Sequence, residues 1–584
     1  MTWDVEAIFT NDEAWEEAFK AIDTQIPELS TYAGRLGESA DVFLEAMKRI
    51  ETVSIEFGKL YVYAHLKHDE DTSNPNYLGL QSRAMVLGAK FSAAVSWMEP
   101  EMAALPDERL DEYLNSGEEL AVYAHSIDDL RRSKKHILSD KEEKILAELS
   151  PVTGAASDTF GILNNADLKF PEITGEDGEP IEITHSRYGK MMESQNRQVR
   201  RDAFTQLYSV YDQFKNTLAT TLSANTKGHN ISADIRNYAS AREQALFGNN
   251  IPESVHQNLI TTVNNNLELL HRYVALRKKV LGYEDLHSYD LYVSLLPDVD
   301  MGVTIEEARD ITMKALAPLG EEYLSIVDKA FTDRWIDFAE NRGKRSGAYS
   351  SGTFGTNPYI LMNWQGTLDN LFTLVHELGH SVHSYYTRSE QPYHYADYSI
   401  FLAEIASTTN ENLLTEYLLK TETDPKVRAY VINHYLDGFK GTVFRQTQFA
   451  EFEHQIHVDD QNGVALTAEH MTQFYAELNQ RYYGPALDAD PQIALEWSRI
   501  PHFYYNYYVY QYSTGFSAAT AFSKAILEEG VPARDRYINF LKSGSSAYPL
   551  DVLTKAGLDM SSPEPIEAAM KVFLRYLDEL EGIL

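Results

Sequence analysis

The chain contains no cysteine. That absence excludes disulfides, thiolate metal sites and cysteine nucleophiles together. It also lacks any apolar run approaching the ~18 residues of a membrane-spanning helix; the stretch from Ala84 to Met98 is broken by Lys90. Positive charge is scarce, with 51 basic residues against 87 acidic ones and a formal net charge of −36. Such a surface repels phosphate backbones and anionic lipid, which sets nucleic acid and membrane aside as partners. Acidity of this kind more often serves solubility than substrate selection. The N-terminus, Met1-Thr2-Trp3-Asp4-Val5-Glu6, has no basic segment followed by an apolar core. No secretory signal is expected, and the expected compartment is the cytoplasm.

What is present suits a soluble globular protein: 43% hydrophobic and 24% charged residues over 584 positions. Length alone suggests about three or four lobes; nothing in the sequence sets an oligomeric state. Apolar residues recur at helical spacing over Glu13 to Ile22, Ala40 to His65 and Leu80 to Trp97. Ser139 followed by Glu142 has the form of a capping box. From Pro151 to Lys190 glycines and prolines punctuate short runs, and the segment from Leu168 to Thr184 reads as a β-hairpin. Long helix resumes from Ser194 to His229. The expected organisation is a helical lobe over 1–115, a helix-plus-hairpin subdomain over 116–190 and a catalytic region over 191–584. A second glycine-rich stretch, Gly343 to Gly366, encloses a strand-like segment from Pro358 to Trp364.

Residues 376–380 read His-Glu-Leu-Gly-His. In a helix, residues four apart share a face, so His376 and His380 can hold one metal ion with Glu377 beside them. Leu371, Val375 and Leu378 form an apolar stripe that supports a helix here. Gly379 within it costs about 1 kcal/mol relative to alanine, which suggests a close neighbour, though tolerance alone would also explain it. A third ligand is needed, and Glu404 follows His380 by a span that allows a turn and an antiparallel return. Leu402, Ile405 and Leu413 place Glu404 on or beside the buried side of a second helix. A buried carboxylate needs a partner, and a cation supplies one. Glu411 competes for the role but fits better as a support behind a histidine. Two histidines, one carboxylate and an open position form the ligand set of hydrolytic zinc, one Zn²⁺ per chain. Zinc lowers the pKa of its water to about 7, and Glu377 can take the proton. Manganese or cobalt could occupy the same donors. His383 does not fit the three-histidine spacing and reads as structural.

A third segment, Arg499 to Gly515, packs six tyrosines and one histidine, His502, into a short run. Neutral Tyr and His donors can complete an oxyanion hole. At helical spacing Tyr507 and Tyr510 share a face, as do Tyr508 and Tyr512; an aromatic core stripe is the plainer alternative.

Taken together, Thr373 to His383, Ala403 to Glu411 and Ile500 to Gly515 resemble the oligoendopeptidase F group of thimet-oligopeptidase-like zinc metallopeptidases. The resemblance spans nearly the whole chain. It implies a mainly α, two-lobed molecule with a deep channel for unstructured peptides and a small β element beside the zinc-binding helix. It implies zinc held by His376, His380 and Glu404, with Glu377 as general base. The transition-state donors would be His502, Tyr507 and Tyr510, with Tyr504 and Tyr508 as alternatives. An edge strand that binds substrate backbone would fall on Tyr359 to Trp364. The implied activity is cleavage of internal bonds in short peptides. A zinc carboxypeptidase and a metal-containing peptide-binding protein that does not cut are the competing readings. The intact Glu377 argues against the second, and no Gly-Ala-Met-Glu-Asn segment marks an aminopeptidase.

Overall fold

The computed structural model describes residues 2–297 and 302–584. Helix dominates, and the described residues hold two small sheets, one of two strands and one of three. Contacts divide the chain into two compact units rather than the three or four that length alone suggests. Each is near the size at which a single core stops growing, roughly 250–300 residues. Unit 1 comprises Met1–His136, Met301–Leu414 and Ala525–Gly557; unit 2 comprises Ile137–Asp300, Thr415–Lys524 and Leu558–Leu584.

In unit 1 the first helices are α1 (Asp12–Leu29), α2 (Ala40–Glu70) and α3 (Pro75–Val95). Asn11 caps α1 by accepting from the Ala14 amide at 2.9 Å, and Ser39 caps α2 through the Val42 amide at 3.3 Å. Their apolar stripes meet around Trp15, whose indole donates to the Leu60 carbonyl at 2.9 Å. The same core takes in Tyr359 and Leu361 from the larger sheet.

In unit 2 the capping pattern at Ser139 is present, with its amide donating to Glu142 Oε2 at 3.0 Å. The expected hairpin forms from β1 (Glu172–Thr174) and β2 (Pro180–Glu182), antiparallel with Ile173 opposite Ile181. Helix α4 (Arg197–Ile235) then runs unbroken for 39 residues.

The three-stranded sheet belongs to unit 1. Its strands are β3 (Ile336–Ala339), β4 (Tyr349–Ser351) and β5 (Tyr359–Trp364), in the order β3-β5-β4. This corrects one expectation from the sequence. β5 is the central strand, parallel to β3 and antiparallel to β4, so Tyr359 to Trp364 is not an edge. Its successive apolar residues Tyr359, Ile360, Leu361 and Met362 are all buried, as a strand covered on both faces requires. The edges of the sheet fall on β3 and on β4, Tyr349–Ser351.

Helix α5 (Leu368–Glu390) follows β5, capped by Thr367 through the Asn370 amide at 3.1 Å. Helix α6 (Ile400–Thr421) follows. The two touch backbone to backbone at Gly379. A Cβ there would lie 2.5 Å from Ser407 Cα and 2.7 Å from the Ala406 carbonyl oxygen. Glycine is what lets the helices come this close. Asn410, fully buried, ties the pair by donating to the Val375 carbonyl at 3.2 Å and accepting from the Tyr323 hydroxyl at 2.9 Å.

Replacing Gly379 by alanine adds about 1 kcal/mol of helix propensity but forces the helices apart, at a cost of about 1–3 kcal/mol. The melting temperature of Gly379→Ala is therefore expected to fall. Gly228→Ala, within α4 and with nothing within 4 Å of the added methyl, is expected to leave it unchanged or raise it.

Candidate metal centre

Because α5 is regular, His376 and His380 project from one face one turn apart, and the Gly379 contact delivers Glu404 from α6 to the same point. The two Nε2 atoms are 3.2 Å apart, and Glu404 Oε2 lies 3.5 Å from each. Among the described residues this trio alone gathers three or more His, Asp or Glu donor atoms within mutual reach, all within 4.8 Å. Ligands about 2.0–2.1 Å from a tetrahedral ion lie about 3.3–3.4 Å from one another. The observed separations match that spacing, so the residues present fit a divalent metal.

The surroundings fix the donors. Glu411, two turns further along α6, accepts from His376 Nδ1 at 2.6 Å and leaves Nε2 turned to the metal point. Burial disfavours the charged His376 ring, but Glu411, Glu377 and Glu404 outweigh it and push its pKa up to about 9. Burial likewise opposes ionisation of Glu404, yet the two rings and the Ser407 hydroxyl draw its pKa down to about 2. Ser407 Oγ stands 3.2 Å from Glu404 Oε2, a support that no sequence spacing announced. Glu377 is 7% exposed and makes no side-chain hydrogen bond with a described residue. Its burial raises its pKa, and His376 and His380 offset only part of that rise. His383 stays outside the group, fully buried and stacked on Tyr398 with ring centroids 3.7 Å apart. Burial pushes its pKa down to about 3, which keeps the ring neutral.

His502, Tyr507 and Tyr510 belong to unit 2, where they divide between two clusters. His502 is half-buried among Tyr505, Tyr508 and Tyr512. Tyr507 and Tyr510 are each 3% exposed and pack edge-on against His256, with centroids 5.4 Å away. The helical face expected for Tyr507 and Tyr510 is not formed. Helix α8 (Tyr510–Glu529) begins only at Tyr510, and Asn506 and Tyr507 take left-handed φ values of 46° and 55°. That strained turn is held by Glu453 and His454 on α7 (Arg445–Gln461). Glu453 accepts from the Tyr507 amide at 2.6 Å, and His454 Nδ1 meets the Tyr507 hydroxyl at 3.1 Å. The sequence reading missed these two residues and His256. Glu453 and His454 both lie some fifty residues before Tyr507, and no local spacing in the sequence ties them to it.

The fold and the His-His-Glu group define the class, a helical metallopeptidase. Comparison with known proteins gives the family. Residues 190–572 match Peptidase family M3, and residues 101–170 match Oligopeptidase F. The chain is 55% identical over 583 residues to Oligopeptidase PepF of Bacillus subtilis, covering 100% of this chain and 87% of that protein. It is 49% identical over 582 residues to Group B oligopeptidase PepB of Streptococcus agalactiae, covering 100% and 97%. The crystal structure of oligoendopeptidase-F from Enterococcus faecium superposes with a TM-score of 0.77 at 48% identity, over 98% of this chain and 99% of that one. The chain belongs to peptidase family M3 and is a metallo-oligopeptidase.

Glu411→Gln keeps the shape but removes the charge behind His376. Metal affinity, measured by chelator competition, is expected to fall about 10- to 100-fold. In chelator-stripped protein the His376–Glu411 pair stabilises the fold fully below the ordinary histidine value of 6.5 and loses that effect as pH rises through about 9. Melting curves of Glu411→Gln should lack this alkaline decline.

Proposed function

We propose that this metallo-oligopeptidase is a zinc endopeptidase that hydrolyses internal bonds of short, unstructured peptides. The observation that carries the reading is the convergence of His376 Nε2, His380 Nε2 and Glu404 Oε2 beside a buried Glu377 with no hydrogen-bonded partner among the described residues. Two imidazoles and one carboxylate with an open position form the ligand set of hydrolytic zinc. Bound there, zinc supplies Lewis-acid polarisation of a carbonyl and acidifies water.

Glu377 takes the proton of the attacking water and passes it to the leaving amine. Its raised pKa brings it closer to the working pH, where a carboxylate serves better as both base and acid. Glu404 stays ionised throughout, and Glu411 holds the His376 tautomer. His502, Tyr507 and Tyr510 are proposed as donors to the developing oxyanion; the resemblance of the Ile500 to Gly515 segment supports this, with Tyr504 and Tyr508 as alternatives. The outer edge of β4 is where substrate backbone would add as a strand. The Ser350 hydroxyl on β4 lies 2.8 Å from that of Ser381, the residue after His380, so this edge adjoins the metal helix. The cytoplasm is the proposed compartment, with short peptides as substrates and neither nucleic acid nor membrane as a partner. The net charge of −36 supports this, and none of the described helices is long and apolar enough to cross a membrane.

Incubation with a flexible peptide of about a dozen residues, read by mass spectrometry, tests the reading. Internal cuts are expected, and they should disappear on chelation. Glu377→Gln should keep its metal and lose at least about 10²–10⁴ in rate. Single residues released from one end would indicate an exopeptidase. A metal-loaded wild type that cuts nothing would indicate a binding protein.

A further inference from the structure

Unit 2 carries a cavity of about 230 Å³ that the peptidase reading does not use. Arg445, Arg499 and Glu496 meet on its wall. Glu496 is 5% exposed and already engaged, one oxygen accepting from Arg445 Nη2 and the other from the Tyr475 hydroxyl. Arg499 Nη1 is 3.7 Å from that same carboxylate, outside hydrogen-bond range, and no other carboxylate lies within ion-pair reach of Arg499 among the described residues. Its Nε is sealed from solvent without a described partner. Two guanidinium groups thus share one carboxylate in a largely buried wall. Unmatched charge in such a place is costly unless another anion answers it.

Further donors line the same space. Tyr188 and Tyr208 are buried and near enough to Arg499 for its charge to act on both phenols. Neither hydroxyl is hydrogen-bonded to a described residue. Ser288 Oγ, also on the wall, is buried and unpartnered among them. Met192, Phe204 and Ile493 supply apolar lining, and the exposed Glu193 borders the cavity.

We infer that this cavity binds the carboxylate of a small organic acid, with Arg499 and the Tyr188 and Tyr208 hydroxyls as donors and the apolar lining around a short aliphatic tail. The planar guanidinium matches a carboxylate in shape as well as charge. A monoanion can pair with the buried Arg499 guanidinium, whose nearest carboxylate is 3.7 Å away, whereas a dianion such as phosphate would be repelled by Glu496 and Glu193. The volume is below the roughly 300–1,000 Å³ of pockets for larger ligands, so the acid is small. A free acid and the C-terminus of a short peptide present the same group. Because every residue involved lies in unit 2, binding here does not depend on the metal centre or on the peptidase reading.

Calorimetric titration of the full chain at fixed ionic strength tests this, with isovalerate, acetate, chloride and inorganic phosphate as probes. Isovalerate is expected to saturate one site per chain and to bind more tightly than acetate. Arg499→Gln should weaken it about tenfold or more, and Tyr208→Phe, which keeps the ring, about three- to tenfold. Glu377→Gln should bind it as the wild type does. Acetyl-leucine and acetyl-glycyl-leucine, titrated into Glu377→Gln, separate a free acid from a peptide C-terminus by which of them depends on Arg499. The inference is overturned if no carboxylate saturates, if chloride or phosphate binds more tightly than isovalerate, or if binding survives unchanged in both Arg499→Gln and Tyr208→Phe.

Discussion

The candidate metal centre depends on one close contact, the approach of α5 and α6 at Gly379. An added methyl there would meet Ser407 Cα and the Ala406 carbonyl at less than any van der Waals distance. Glu404 precedes Ser407 by one turn, so a wider separation would withdraw its carboxylate from His376 and His380. The Asn410 hydrogen bond to the Val375 carbonyl holds the register of the two helices beside His376. Helix geometry presents the two rings, the glycine sets the interhelical distance, and the buried amide prevents sliding.

That packing also governs the electrostatics. Four ionisable side chains, His376, Glu377, Glu404 and Glu411, lie in a largely buried space where unpaired charge is costly. Glu411 is satisfied by His376 Nδ1, and Glu404 faces the Nε2 atoms of His376 and His380. Glu377 is left with burial as its dominant influence and a raised pKa, which separates its role from theirs. Burial and the lack of a partner thus set Glu377 apart from the two carboxylates that pair with histidine, the difference on which its proposed part in proton transfer rests.

Much of this centre was legible in the sequence because its information is local. The four-residue spacing of the histidines, the isolated glycine between them and the acidic residue on an apolar helix face each carry a direct physical meaning. The hairpin and the long helices were legible for the same reason. What escaped was non-local. The segment Tyr359 to Trp364 has the composition of a strand, but only its pairing with Ile336–Ala339 on one side and Tyr349–Ser351 on the other makes it central. The tyrosine run suggested helical faces, yet the left-handed Asn506 and Tyr507 break the helix before Tyr510, held by Glu453 from a segment some fifty residues earlier. The assembly of each unit from three separate stretches has no local signature either.

The central claim is that His376, His380 and Glu404 hold the metal. X-ray absorption at the zinc edge of the loaded protein tests it most directly. The account predicts two imidazole nitrogens at about 2.0–2.1 Å with oxygen completing the shell, and loss of one imidazole in His380→Gln. A shell without two imidazoles, or one unchanged in His380→Gln, would contradict it.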